Sequence, residues 1–280
     1  MTSRSRSRNR SIRSLVAAAL LASIATLATS AVAKPERSVY LEDLTTTEVA
    51  AAIADGATTI LVPIGGTEEN GPHMVLGKHN VRARVLAERI ARELGNTLVA
   101  PVIAYVPEGR IDPPAEHMRF AGTISIPPAA FEATLEATAQ SFAEHGFRDI
   151  VFLGDHGGYQ KNEAAAAGRF NRKWKRSPAR AIALVAYYRA AAVDFPTALV
   201  ARGYTKGEIG THAGLADTAL ALAVDPKLVR EDVLEKGTDL DARHGVYGDP
   251  RRATAALGTA GVDDIVRASV EAIRRELARR

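Results

Sequence analysis

The sequence predicts an α/β fold in which helices cover both faces of a mainly parallel sheet. Two observations carry that expectation. Short apolar runs, "TTILVPIGG", "TLVAPVIAYV", "DIVFLG" and "RAIALVAYY", alternate along the chain with segments of helical periodicity. Each run is apolar at successive positions, as in a strand buried on both faces, rather than alternating apolar and polar. A chain of 280 residues, 46% hydrophobic and 24% charged, can bury one full core. No Pro/Gly/Ser-rich linker and no internal repeat divides it, so residues 34–280 are expected to form a single domain.

In chain order, "TTTEVAAAIADG" (45–56) opens with a Thr-x-x-Glu capping box, Thr45 and Glu48, and ends in Asp-Gly, which predicts a helix. The first strand follows in 58–66. Leu86, Ile90 and Leu94 then recur every fourth residue and stop at Gly95, a second helix. A strand is expected over 97–106 and a long polar loop over 107–128. The next helix is entered through Pro127 and Pro128, lined inside by Phe131, Leu135 and Phe142, and closed at Gly146 with His145 as its cap. A strand at 149–154, a helix near 162–175 and a strand at 180–188 come next. The last helix is expected from about Asp263, with acids at its start and arginines at its end, as the helix dipole favours.

The N-terminus stands apart. Arg4, Arg6, Arg8, Arg10 and Arg13 precede an apolar stretch from Leu15 to about Leu27, and "SAVA" ends at Ala33. A basic region, a short apolar region and small residues in an Ala-x-Ala arrangement predict a secretory signal over 1–33, and with it a periplasmic or secreted protein. The apolar run is shorter than the ~20 residues a membrane-spanning helix needs, so no membrane association is expected after cleavage. The region has no adjacent arginine pair, against a twin-arginine signal. Losing those five arginines takes the formal charge from +4 to −1, which removes the main argument for nucleic-acid binding. The basic cluster "RFNRKWKR" (169–176) reads as a solvated helix face. With no cysteine, any metal must rest on His, Asp, Glu or Asn.

In an open parallel sheet, ligands bind beyond the carboxyl ends of the strands. Two loops rich in chemistry are expected there: "GGTEENGPHMVLGKHN" (65–80) after the first strand and "DHGGYQ" (155–160) after the third. Of the seven histidines, His145 and His244 read as a cap and a turn residue. His156 sits among glycines, and His212 in "GTHAGLADT" precedes Asp217 near a helix start. Imidazoles and carboxylates gathered on sheet-end loops point to a Zn or Mn site, able to polarise a carbonyl and activate water. There is no G-x-S-x-G elbow, no P-loop and no G-x-G-x-x-G after a strand.

These stretches resemble, in order, the conserved blocks of the creatininase family. "VPIGGTEENGPHMVLGKHN" resembles G-[ST]-x-E-Q-H-G-P-H-L-P-L-x-x-D, and "FAGTISI" (120–126) resembles P-G-T-I-S-L. "FLGDHGGYQ" is similar to the N-G-H-G-G-N loop, "HAGLADTALALAVDPKLV" to H-A-G-x-x-E-T-S-L-x-L, and "GVYGDPRRATAALG" to a late G-V-x-G-D-P motif. The resemblance implies a three-layer α/β/α sandwich, commonly a hexamer, with a two-metal centre that hydrolyses C–N bonds. By position it implies metal ligands at Glu68, His156 and Asp217, and an acid/base at His212.

Two positions depart from the family: Asn70 replaces its ligand histidine and His79 its metal-bridging aspartate. A neutral imidazole cannot bridge two cations as a carboxylate can, and an amide is a poor Zn ligand. One divalent ion per chain is therefore expected, held by Glu68, His79, His156 and Asp217. Asp155 and His212 are the candidate catalytic residues, and Asn70, His73 and His117 are expected beside the substrate or behind the ligands. The function expected is hydrolysis of a small amide, lactam or peptide. The alternative is a catalytically silent binder of small ligands on the same fold. The single tryptophan, Trp174, lies in the basic cluster, which makes creatinine a doubtful substrate.

Overall fold

The computed structural model describes residues 37–279, so the expected signal segment, 1–33, lies outside the described residues. Ser38–Arg280 form one compact unit. Four parallel strands, β1 (Thr59–Ile64), β2 (Thr97–Val99), β3 (Asp149–Gly154) and β4 (Arg180–Ala183), are ordered β2-β1-β3-β4. Strand β1 pairs with β3 from Thr59↔Asp149 to Ile64↔Gly154. That level register sets the loops after Ile64 and Gly154 side by side, where the strand order reverses.

Successive residues of the inner strands enter opposite cores. Leu61, Val151 and Leu153 join one, with helix α2 (Lys78–Leu94) and the C-terminal helices. Ile60, Val62, Ile150 and Phe152 join the other, with α1 (Thr46–Ala54), α3 (Pro128–Glu144) and α4 (Gln160–Lys173). This is the three-layer α/β/α sandwich, and the solid apolar runs follow from it because both strand faces are buried. The capping box at Thr45 and Glu48 is formed, and His145 caps α3.

Three boundaries differ from expectation. Strand β2 stops at Val99 instead of running to 106, because Pro101 has no N–H for the ladder. Beyond it Ile103 N–H donates to Pro63 O at 3.0 Å. Pro63 itself is accommodated because its nitrogen faces the side where β2 has ended. The run after β4 is helical: α5 (Val185–Arg189) passes through a π-turn at Ala190–Asp194 into α6 (Phe195–Ala201). Pro196, with no N–H, cannot donate the α-helical bond that would close this turn, and the wider π-turn absorbs the loss.

After the short α7 (Lys206–Ile209) come α8 (Leu215–Val224), α9 (Glu231–Lys236) and α10 (Ala255–Leu277). Helix α10 starts at Ala255 rather than Asp263, capped by Thr254 Oγ1 accepting from Leu257 N–H at 3.1 Å. Its early glycines weaken the local helix signal but serve packing. A Cβ on Gly258 would strike the Ala219 carbonyl of α8. No described helix is long and apolar enough to cross a membrane.

Candidate metal centre

The loop after β1 is fixed from the start of α2. Asn80 Oδ1 accepts from Gly66 N–H at 3.0 Å, and Asn80 Nδ2 donates to Thr67 Oγ1 at 3.2 Å. This turns Glu68, fully buried, into the cleft between the ends of β1 and β3. Its Oε1 lies 2.7 Å from His79 Nε2. Its Oε2 has no hydrogen-bond partner, although His117 Nε2 and His156 Nε2 stand 3.3 and 3.4 Å away.

Glu108 enters from the loop beyond β2 and is 2% exposed. Its Oε2 lies 3.1 Å from His156 Nδ1, yet neither carboxyl oxygen has a hydrogen bond. Glu68, Glu108, His117 and His156 thus bring one ligand atom each to within 4.8 Å of one another. Buried carboxyl oxygens without partners are costly, and a divalent cation would satisfy them. These residues fit an ion.

A second group adjoins the first. Glu69 Oε1 is 3.0 Å from His117 Nδ1 and 3.5 Å from His212 Nε2. Glu69, His117 and His212 form a second candidate cluster that shares His117, whose Nε2 faces Glu68 and whose Nδ1 faces Glu69; as a neutral ring it has a lone pair for one ion only. A Cβ on Gly245 would collide with the Glu69 carboxylate, so glycine there lets the chain pass against this cluster.

The shifts divide: Glu68, Glu69 and His156 are held in the forms that ligate a cation, whereas Glu108 and His117 are pushed toward their protonated forms. Burial pushes the Glu108 carboxyl up to about 9, reinforced by the neighbouring Glu68 charge. Burial would also raise Glu69, but hydrogen bonds from His117 and His212 bring it down to about 2. Burial holds the His156 imidazole down to about 3, neutral as a metal ligand must be, against the pull of Glu68. Burial opposes the Glu68 charge, but the imidazoles of His156 and His79, the hydrogen bond from His79 and the Lys78 ammonium hold its carboxyl well below the usual value.

Behind these groups lies a buried ionic layer. Both His79 nitrogens are engaged, Nε2 with Glu68 and Nδ1 with Asp155 Oδ2 at 2.6 Å. Asp155 accepts from Arg82 Nε at 2.8 Å and from the Tyr187 hydroxyl at 2.6 Å. Burial opposes its charge, but Arg82 and His79 hold its carboxyl below the ordinary value. Asp217 is bound by Lys78 Nζ and by Arg82 Nη1, the latter at 2.9 Å. The fixed cations Lys78 and Arg82 face the acids Glu68, Glu69, Glu108, Asp155 and Asp217, leaving a net negative site.

The expected residues therefore divide. Glu68, His156, His117 and His212 converge in the two clusters. His79 and Asp217 lie outside both, committed to other side chains. Asn70 Nδ2 donates to the Glu68 and Val75 carbonyls at 2.9 and 3.1 Å, shaping the loop. His73 is buried against Thr218 Oγ1 at 3.0 Å, away from the clusters. His244 lies on a surface turn beside Asp241 Oδ1, 3.0 Å away.

Sequence reasoning missed Glu69, Glu108, Lys78 and Arg82. A signal existed for the last two. Lys78 and Arg82 continue the Leu86/Ile90 series at four-residue spacing, which puts two cations on the buried face of α2.

The family model for creatininase (creatinine amidohydrolase) matches residues 42–273. The chain is 30% identical over 237 residues to the mycofactocin precursor peptide peptidase of Mycolicibacterium smegmatis, covering 77% of this chain and 84% of that one. It is 26% identical over 205 residues to the creatinine amidohydrolase of Pseudomonas putida, covering 70% and 75%. Among solved structures, a manganese creatininase superposes with TM-score 0.73 at 23% identity, over 86% of this chain and 99% of that one. A mutant creatininase of Zn-Zn type gives 0.70 at 23%, over 86% and 98%.

The expectation of one ion per chain, held by Glu68, His79, His156 and Asp217, is corrected by these findings. Two ligand clusters are present, joined at His117, and a structural neighbour is dinuclear. The loss of a bridging carboxylate at position 79 suggested one ion, but His117, Glu69 and Glu108 offer candidate ligand atoms that the motifs alone did not reveal. The matched length, the sheet and the ordered motifs agree: this chain belongs to the creatininase family.

Proposed function

We propose that the protein is a metal-dependent hydrolase that cleaves the C–N bond of an amide, lactam or peptide. The observation that carries this reading is the set of buried, unpartnered carboxyl oxygens of Glu68 and Glu108 facing His117 and His156. Glu68, Glu108 and His156 would hold one divalent ion, Zn or Mn, and Glu69 and His212 a second, with His117 giving the single lone pair of its neutral ring to one of the two. Such ions supply Lewis-acid polarisation of a carbonyl and activation of water.

The chain's own residues do the rest. His212 lines the cleft with its Nε2–H donating to the Glu69 carbonyl at 2.9 Å, which leaves Nδ1 either to take the second ion or, where no ion occupies it, to act on the proton of a leaving nitrogen. Asp155, 2% exposed and fully engaged, positions His79, which in turn fixes Glu68. The similarity to a precursor peptide peptidase supports peptides among the candidate substrates. Residues 1–33 support export to the periplasm or beyond, and the family resemblance supports a homo-oligomer, a hexamer.

The test is metal analysis of the purified protein, followed by assays of lactams, formamides and dipeptides with Zn or Mn. Bound metal and turnover that chelation abolishes are expected. Absence of turnover with either metal, alongside tight binding of a small ligand, would instead favour a silent binding protein. N-terminal sequencing of exported material and light scattering check the location and the oligomer.

A further inference from the structure

Two cavities meet at the imidazoles of His117 and His156, which line both. The first, about 350 Å³, has a polar floor of Lys78, Arg82, His212 and Asp217 beside Tyr188. The second, about 890 Å³, lies on the other side, under the 107–128 loop. Its wall is largely apolar, with Pro107, Ile111, Ile126 and Pro127, and Glu108 faces it from the ligand cluster. Each falls within the ~300–1,000 Å³ of a pocket that takes a drug-sized ligand.

From this arrangement we infer that the substrate is an extended chain, a peptide of several residues, cleaved at an internal amide bond. One side of the scissile bond occupies the first cavity, over its polar floor, and the other lies along the more apolar second one. The inference rests on the hydrolase reading above and narrows it. A lactam carries both atoms of its scissile bond in one compact ring, so it would fill one cavity and leave the other without a role. A chain running past the metal centre uses both. Ile111, 50% exposed on the wall of the second cavity, is the large apolar side chain a ligand lying there would cover. The water adds across the amide in the ordinary way: oxygen to the acyl carbon, a proton to the departing nitrogen, and the C–N bond breaks.

The experiment compares blocked dipeptide, tetrapeptide and hexapeptide substrates with a simple lactam, in the wild-type protein and in Ile111→Trp and Ile111→Ala. Ile111 belongs to neither ligand cluster, and being half exposed it can be enlarged without disturbing the core. In the wild type, kcat/KM should rise about tenfold from dipeptide to hexapeptide, because binding energy from remote parts of a substrate lowers the barrier at the reacting bond. Ile111→Trp should cancel that gain and leave lactam or dipeptide turnover unchanged, while Ile111→Ala keeps it. A flat length series, or a tryptophan variant that slows every substrate equally, overturns the inference. If no substrate is hydrolysed, the hydrolase reading fails, and calorimetry with the hexapeptide decides the cavity separately. Hexapeptide binding tighter than dipeptide and weakened by Ile111→Trp supports the extended site, and equal binding overturns it.

Discussion

Glu68 has one carboxylate oxygen committed to His79 and one that is buried without a hydrogen bond. Glu68→Gln keeps the shape but replaces an anionic ligand with a neutral amide. Bound metal should fall with a loss of affinity of about 100-fold or more, judged from what even outer-shell changes cost, and direct metal analysis reads it. Glu163 makes a different prediction. It is 1% exposed and packs under Gly154, where a Cβ would collide with it, and its Oε1 has no partner. Burial raises its carboxyl well above the usual 4.5. The folded state therefore holds a proton that the unfolded chain gives up, and stability falls as pH climbs from about 4.5 toward the raised folded value. Glu163→Gln mimics the neutral acid and removes that slope. Thermal melts should show little difference at pH 5 and a gain on the order of 1–3 kcal/mol for the variant at pH 8. A constant offset at both pH values would refute the account. At this scale the sequence displayed Glu68, His156 and His212, whose motifs are local. Glu108 was illegible because it stands alone in a long loop and meets Glu68 only through the tertiary fold.

At the scale of elements, strand identity came through where both faces of the strand are buried, in β1 and β3. It failed at the sheet edges. Strand β4 is an edge strand, and the apolar run after it packs as helix against the same core, so an apolar string alone could not separate the two. Helix α10 illustrates the reverse error. Gly258 and Gly261 lower its helix propensity, yet they allow its close approach to α8 and to Phe195. Gly258→Ala would place a methyl group on the Ala219 carbonyl, which backbone cannot avoid by a rotamer change. Despite better intrinsic helix propensity, that variant should be destabilised by about 1–3 kcal/mol. A denaturant midpoint equal to or above the wild type would sink the packing argument.

For the molecule as a whole, the acidic site makes folding and metal binding linked equilibria. Glu68 and Glu69 bring negative charge into a buried space beside a Glu108 carboxyl that keeps its proton until an ion displaces it, and an ion that binds the folded chain stabilises it by mass action. Zn or Mn supplied at about 100 times its dissociation constant should add about 2.7 kcal/mol per site. For a domain of this size that raises the melting temperature by roughly 5–10 °C over the chelated protein. Calorimetry of chelated and reloaded protein checks this, and identical melts would count against a resident ion. The sequence by itself determined the architecture and the neighbourhood of the site. Apolar periodicity dictates a doubly covered parallel sheet, and that topology brings the loops after β1 and β3 to one crevice. Tertiary structure alone decided which side chains there are free to take a cation. Lys78 and Arg82 occupy Asp217, and His79 is spent on Glu68 and Asp155, while Glu69, Glu108 and His117 arrive from elsewhere. Ligand identity is a property of unsatisfied atoms in space, and no single motif states which of its atoms will be satisfied by neighbours distant in the chain.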